Sequence, residues 1–333
     1  MSEQKKVLVV GVGSIGERHL RCFQKTGRVG LSLCEVNPKL RDRISSHYGI
    51  DSAFDNLEAA LADSPDAVVI ATPAQLHISM AMQAAEAGSH VLIEKPLSIS
   101  TEGVQELIDK IAEKGLVGAV AYVLHCYPAL IQARDAIRSG RFGDPVEIVV
   151  DCGQNFPTYR PAYREIYYNN HATGGGAVQD AMTHMLNAGE WLVGPIDRLV
   201  ADFDHKVLEG VEVEDTVHII TRQGNVMGCY TLNQYQHKNQ SDIKIVCTEG
   251  VVVIDMIDNC WRWVKEIEEP WHVEKCEPAE RDDHFIAQAN IFLDMVEGKT
   301  SNWNPIEDGL QTLRCNLAIL KSVEENCWQT IER

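Results

Sequence analysis

The chain has 333 residues, more than a single hydrophobic core usually serves, so two domains of moderate size are the expectation. Hydrophobic residues make up 45% and charged residues 23%, which excludes a largely disordered chain. Lys and Arg total 30 against 48 Asp and Glu, and the net charge of −18 opposes a nucleic-acid or anionic-membrane partner.

The apolar run over 7–10 is short and gives way to glycines and to Glu17 and Arg18, so no export signal is read there. No stretch approaches the roughly 20 apolar residues of a membrane span. The 10 cysteines form no C-x-x-C pair and no zinc-like spacing, which suits reduced thiols in the cytoplasm and argues against a metal site.

Up to residue 122, short apolar runs alternate with amphipathic stretches. The pattern predicts strands over 7–10, 31–34, 67–71, 90–94 and 116–122, and helices over 15–25, 38–48, 75–87 and 101–114. Purely apolar strands are buried on both faces, as in a parallel sheet covered by helices. The rhythm changes after 122, which divides the chain into domains 1–123 and 124–333. The second domain opens with a helix over 128–139 and a strand over 145–152, then an irregular aromatic segment over 154–176. Alternating runs over 213–222, 226–232, 243–247 and 251–256 predict an antiparallel meander, and two closing helices over 282–297 and 306–325 have apolar spacing suited to a sheet face.

Gly11, Gly13 and Gly16, with Ser14 and Ile15 between the last two, follow the first strand and open a helix. Glycines so placed supply a tight turn, close backbone approach to a pyrophosphate and close helix–strand packing. The second strand ends at Glu35, 24 residues after Gly11, where a carboxylate binds the adenosine ribose hydroxyls and repels a 2′-phosphate. NAD is therefore expected rather than NADP, although Arg41 and Arg43 lie downstream. Ala71, Thr72 and Pro73 stand at the end of the third strand and Glu94, Lys95 and Pro96 at the end of the fourth. Ligands of open parallel sheets bind outside those strand ends, which directs Lys95 toward the nicotinamide half of the cleft.

In the second domain Gly174, Gly175 and Gly176 precede a helix predicted to begin near Ala177. Asp180 and His184 are four apart on it and share a face, so the carboxylate can orient an imidazole suited to take the proton of a substrate hydroxyl. The alternative is a structural Asp–His pair. The segment before the glycines, with Asn155, Tyr159, Tyr163, Arg164 and Tyr167, combines aromatics with hydrogen-bonding groups, as a polyhydroxylated or acidic sugar requires. A contact between domains or subunits is the other reading of that segment.

Taken together these residues resemble the glucose-fructose oxidoreductase, inositol dehydrogenase and rhizopine-catabolism family, Gfo/Idh/MocA, over essentially the whole chain. The markers are the three glycines with Arg18 and His19, Ala71-Thr72-Pro73 with His77, Glu94-Lys95-Pro96, the triple glycine, Asp180 with His184, and a tail containing Phe292-Leu293 and Glu307-Asp308-Gly309. The resemblance implies a Rossmann domain followed by an α/β domain with a large, mainly antiparallel open sheet, through which homodimers or homotetramers form. It implies Lys95, Asp180 and His184 as the catalytic set acting on sugar, inositol or sugar-derivative alcohols. It also implies cofactor contacts from Ala71, Thr72, Pro73, His77, Glu94 and Lys95, with substrate contacts extending to His125. Two departures are His125, where many members carry Arg, and Asn187, where many carry Asp.

The combined expectation is an NAD-dependent dehydrogenase. The alternatives are a tightly held NAD used for epimerisation or elimination without net redox change, and a non-catalytic dinucleotide-binding sensor.

Overall fold

The structure, a computed structural model, describes residues 4–165, 167–300 and 303–332. The chain divides into two compact units, one made of 1–123 and 279–310, the other of 124–278 and 311–333.

The first unit alternates strand and helix from its start: β1 (Lys5–Val10), α1 (Ser14–Thr26), β2 (Val29–Cys34), α2 (Pro38–Tyr48), β3 (Ala53–Phe54), α3 (Leu57–Ala62), β4 (Ala67–Ile70), α4 (His77–Glu86), β5 (His90–Ile93), α5 (Val104–Lys114) and β6 (Gly118–Val120). All six strands are parallel, in the order β3-β2-β1-β4-β5-β6. The strand order therefore reverses between β1 and β4, and the crevice at such a switch point is where open α/β sheets bind ligands. Local chemistry sets the boundaries: Asn37 accepts the Lys39 and Leu40 amides at the start of α2 with Pro38 in its first turn, and Gly27 and Gly49 close α1 and α2 in the left-handed region. The sequence pattern passes over β3 and α3, which at two and six residues are too short to show a period.

Val7, Val9, Leu33, Val69 and Leu92 share one apolar cluster with Leu20 and Phe23 of α1 and with Ala289, Phe292 and Leu293 from the helix Arg281–Val296. Burying each such large side chain contributes about 1.5–3 kcal/mol. This differs from the division at 123 read from sequence, because the helix serves the parallel sheet and not the second unit. Polar contacts reinforce the attachment: Arg21 donates to both oxygens of Asp282 at 2.6 and 2.7 Å, and Arg18 donates to Oδ1 at 3.2 Å.

The second unit contains α6 (Pro128–Arg138), β7 (Pro145–Asn155), the short α7 (Phe156–Tyr159), α8 (Thr183–Val193), β8 (Arg198–Asp204), β9 (Thr216–Gln223), β10 (Val226–Asn233), β11 (Tyr235–Cys247), β12 (Gly250–Asp255), β13 (Cys260–Val264) and β14 (His272–Lys275). The helix Arg281–Val296 is α9, α10 (Ile306–Glu325) begins in the first unit and continues into the second, and β15 (Gln329–Thr330) ends the series. The nine-stranded sheet has the order β14-β13-β12-β11-β7-β10-β9-β8-β15 and is antiparallel except where β7 runs beside β10. A plain meander is thus corrected: β7 lies between β10 and β11, and only Gln234 links those two strands.

One face of this sheet, including Ile148, Val150, Ile219, Tyr230 and Ile245, is covered by Leu130 and Ala133 of α6, Leu186 of α8 and Ile319 of α10. Alternation sends Ile220 and Met227 the other way, and each is about half exposed. Among the described residues no helix is long and apolar enough to cross a membrane.

The Asp282 carboxyl is held down to about 2, first by its hydrogen bond from Arg21 and further by the charges of Arg21, Arg18 and Lys25. A depressed carboxyl stabilises the fold above its ordinary value near 3.8, and that stabilisation is lost as pH falls toward about 2. Asp282→Asn is therefore expected to lower the thermal midpoint at neutral pH. Calorimetry between about pH 4 and pH 2 should show the gap to the parent chain closing; a gap independent of pH would contradict the ion-pair account.

Candidate functional site

The glycine turn sits where the first sheet reverses its order. Gly11 has φ +79, its amide donates to the Cys34 carbonyl at 2.8 Å, and a Cβ there would lie 2.9 Å from the Ala71 carbonyl oxygen. A Cβ on Gly16 would come within 1.8 Å of the Gly11 carbonyl oxygen, so only glycine lets α1 approach β1 this closely. At Gly13, by contrast, nothing stands within 4 Å of an added Cβ. Gly13 and Ser14 are exposed, Ile15 is half-buried, and no side chain caps the first amides of α1. That combination of open backbone and uncapped amides fits a phosphate group.

Glu35 stands beside the same turn. Its Oε2 accepts the Val12 amide at 3.1 Å and its Oε1 accepts the Asn37 amide at 2.9 Å, which fixes the carboxylate at the end of β2. Arg41 donates to the Glu35 carbonyl at 2.9 Å and Arg43 to Glu17 at 3.3 Å.

Beyond β4 and β5, two residues expected to touch a cofactor are placed otherwise. His77 is buried, with Nδ1 3.0 Å from the Pro96 carbonyl oxygen and Nε2 2.8 Å from that of Thr72, so it ties the two strand-end loops together. Burial pushes its imidazole below the ordinary value. Glu94 is also buried: Oε1 lies 2.6 Å from His19 Nε2, and Oε2 accepts the Lys95 amide at 3.0 Å. Its carboxylate supports the chain at Lys95. Thr72, Pro73 and Lys95 retain exposed or half-buried surface, whereas Ala71 is buried.

In the second unit the helix expected from Ala177 begins as a π-turn, Val178–Met182, before α8. Such wide turns are rare and recur at functional sites. Asp180 lies in the π-turn and His184 in the first turn of α8; Asp180 is buried and His184 half-buried. The Tyr167 hydroxyl donates to Asp180 Oδ1 at 2.6 Å. The triple glycine is packed for want of room: a Cβ on Gly175 would lie 2.3 Å from the Tyr168 carbonyl oxygen, and one on Gly176, φ +86, would lie 2.5 Å from Glu214 Oε1. Glu214 is absent from the sequence-based set. It accepts the Val178 amide at 2.8 Å, lies 2.5 Å from His171 Nε2, and its carbonyl accepts the Ala177 amide at 3.1 Å. Thirty-four residues separate it from Asp180, and no local motif marks it.

The aromatic segment is in part a core of its own. Phe156, Tyr163 and Tyr168 cluster with Leu208, Val211 and Val213. Tyr163, expected to bind substrate, is 1% exposed and its hydroxyl donates to the Glu209 carbonyl at 2.7 Å, so it braces the segment instead. Arg164 Nε donates to that same carbonyl at 2.7 Å. Asn155 Oδ1 accepts from Thr158, and the Tyr159 hydroxyl accepts from Asn239. Tyr159 and Tyr167 keep substantial exposure, 50% and 40%. His125 is buried and stacks on Trp191 with ring centres 4.0 Å apart, and burial pushes its imidazole down to about 3. A neutral, packed ring replaces the substrate contact expected of it. Among the described residues no three His, Cys, Asp or Glu side chains gather as metal ligands would.

Residues 5–122 match the oxidoreductase family model with an NAD-binding Rossmann fold, and residues 130–253 match the GFO/IDH/MocA C-terminal domain. Levoglucosan dehydrogenase of Pseudarthrobacter phenanthrenivorans is 27% identical over 67% of this chain and 64% of its own length. The NAD-dependent scyllo-inositol 2-dehydrogenase of Bacillus subtilis is 31% identical over 44% of each chain. The NADP-dependent D-xylose 1-dehydrogenase of Haloarcula marismortui is 27% identical over 60% of this chain and 56% of its own. The match thus spans between 44% and 64% of the length of these curated relatives. A solved structure of levoglucosan dehydrogenase in complex with NADH superimposes with a TM-score of 0.90 at 21% identity, covering 99% of this chain and 100% of that one, which shows the shared fold. Two family models in tandem, on a parallel sheet followed by a mainly antiparallel one, establish that the chain belongs to the Gfo/Idh/MocA oxidoreductase family.

Proposed function

We propose that this protein is an NAD-dependent dehydrogenase that oxidises a secondary alcohol of a sugar, inositol or sugar derivative. The observation that carries the reading is the glycine turn at the sheet's switch point, open over Gly13 and flanked by the fixed carboxylate of Glu35. Gly13, Ser14 and Ile15 hold the pyrophosphate on the turn that Gly11 and Gly16 shape, with Ala71, Thr72 and Pro73 bordering it. Glu35 accepts from the ribose hydroxyls and disfavours a 2′-phosphate. The sugar and inositol dehydrogenases among the relatives support the substrate class.

A bound nicotinamide supplies the acceptor for the hydride that leaves the carbinol carbon. The protein's part is the proton: His184 takes it from the hydroxyl, so the oxygen's electron pair can form the carbonyl as the C–H bond breaks. Asp180, its Oδ1 bonded to Tyr167, steadies the resulting imidazolium. Lys95 hydrogen-bonds the reacting oxygen and stabilises negative charge developing on it. Exposed Tyr159, Arg164 and Tyr167 and half-buried Asn155 provide polar contacts for a polyhydroxylated ligand. A second copy of the chain covers the outer sheet face around Ile220 and Met227, giving a homodimer or homotetramer that works in the cytoplasm.

Calorimetric titration with NAD, NADH, NADP and NADPH is expected to show tighter binding of the unphosphorylated pair, a preference that Glu35→Ala reduces. Preference for NADP by the parent chain would overturn the role of Glu35. Against a panel of sugars, inositols and sugar derivatives followed by nicotinamide absorbance, His184→Ala and Lys95→Ala should each lose about 10²–10⁴-fold in turnover with NAD affinity unchanged. Undiminished turnover in both removes them from the mechanism.

A further inference from the structure

Glu214 is a buried carboxylate that the proposed chemistry does not use, and its contacts lead to the residue that the chemistry needs. Its side chain is nearly sealed from solvent, and it reaches out from the residue pair just before β9. Oε1 accepts the Val178 amide at 2.8 Å, the first residue of the π-turn that carries Asp180. Oε2 lies 2.5 Å from His171 Nε2, and His171 is partly exposed. The Glu214 main-chain carbonyl takes the Ala177 amide at 3.1 Å, so consecutive amides entering the turn are held by one residue. Gly176 leaves the space that the carboxylate fills.

We propose that Glu214 is a positioning residue: by capping the π-turn at Val178 it holds Asp180 in register with His184, with His171 as the partner of its other carboxylate oxygen. This rests on the reading of Asp180 and His184 as the proton-handling pair. A carboxylate left buried without its partner is costly, which explains why His171 stands at the surface end of the contact. The Glu214 bond raises the His171 imidazole above its ordinary value, against the opposing effect of burial. The Tyr168 hydroxyl feels the charges of Asp180, Glu214 and Asp215. Asp215 is already occupied by the amides of Lys206, Val207 and Leu208, and burial pushes the Tyr168 hydroxyl far up, so neither substitutes for Glu214.

The test is the titration of His184 by carbon–proton NMR on the full chain labelled at histidine Cε1, the resonance being identified by its loss in His184→Gln. Asp180→Asn sets the scale, with an expected fall of about one pH unit or more in the His184 midpoint. Glu214→Asp keeps a charge beside His171 but is one methylene short of the Val178 amide, and should lower the midpoint by about half as much. Glu214→Gln keeps the acceptor and is expected to titrate like the parent chain. An unmoved midpoint in Glu214→Asp, alongside a shift in Asp180→Asn, overturns the positioning role. So does a shift in Glu214→Gln equal to that in Glu214→Asp, since keeping the acceptor at the Val178 amide would then make no difference. No shift in Asp180→Asn overturns the acid–base pair itself, and the proposal with it.

Discussion

A polar side chain buried in a fold must find hydrogen-bond partners or cost about 1–3 kcal/mol, and here several such side chains find theirs on the backbone beside residues assigned to chemistry. His77 joins the carbonyls of Thr72 and Pro96 and so couples the ends of β4 and β5. Glu94 takes the Lys95 amide and meets His19, which belongs to the helix that starts at the glycine turn. Glu214 takes the Val178 amide and meets His171. In each case the buried group spans two segments distant in sequence. Moving one segment would leave a desolvated charge or imidazole unpaired, so the local geometry around Lys95 and Asp180 is defended by desolvation and not by the bond energies alone.

The glycines divide by what surrounds them. Gly11, Gly16, Gly175 and Gly176 are required because protein atoms occupy the place of a side chain. Gly13 is bordered by open space, and there glycine leaves room for something other than the chain itself. A sequence motif gives all of these the same letter. The distinction between packing glycine and ligand glycine becomes visible only once the neighbours are in place.

Much of the first unit was legible because parallel strands buried on both faces read as uninterrupted apolar runs, as Val7 to Val10 do. The helix α9 was misassigned because its apolar spacing shows that it packs on a sheet without saying which sheet; tertiary contacts such as Phe292 against Phe23, 6.4 Å apart and nearly perpendicular, answer that. The insertion of β7 between β10 and β11 was equally invisible, since alternation fixes the faces of a strand but not its neighbours. Glu214 escaped for a related reason: a carboxylate next to Asp215 at the edge of a strand looks like a solvated pair, and its burial comes from contacts with a segment more than thirty residues earlier.

The aromatic segment shows where composition misleads. Aromatics interleaved with arginines and amides suit a sugar platform, yet the same composition suits a small apolar cluster whose polar tips must be satisfied. Here the stretch divides into side chains that turn inward and side chains that do not. Tyr163 turns inward and gives its hydroxyl to the Glu209 carbonyl, Tyr168 packs beside it, and Tyr167, adjacent in sequence to Tyr168, faces outward with its hydroxyl on Asp180. Neighbouring residues in an irregular segment point in different directions, so rigidity of the inward pair is what gives the outward tyrosine a fixed place. The cluster of Phe156, Tyr163, Tyr168, Leu208, Val211 and Val213 is thus the support on which the Tyr167–Asp180 contact stands.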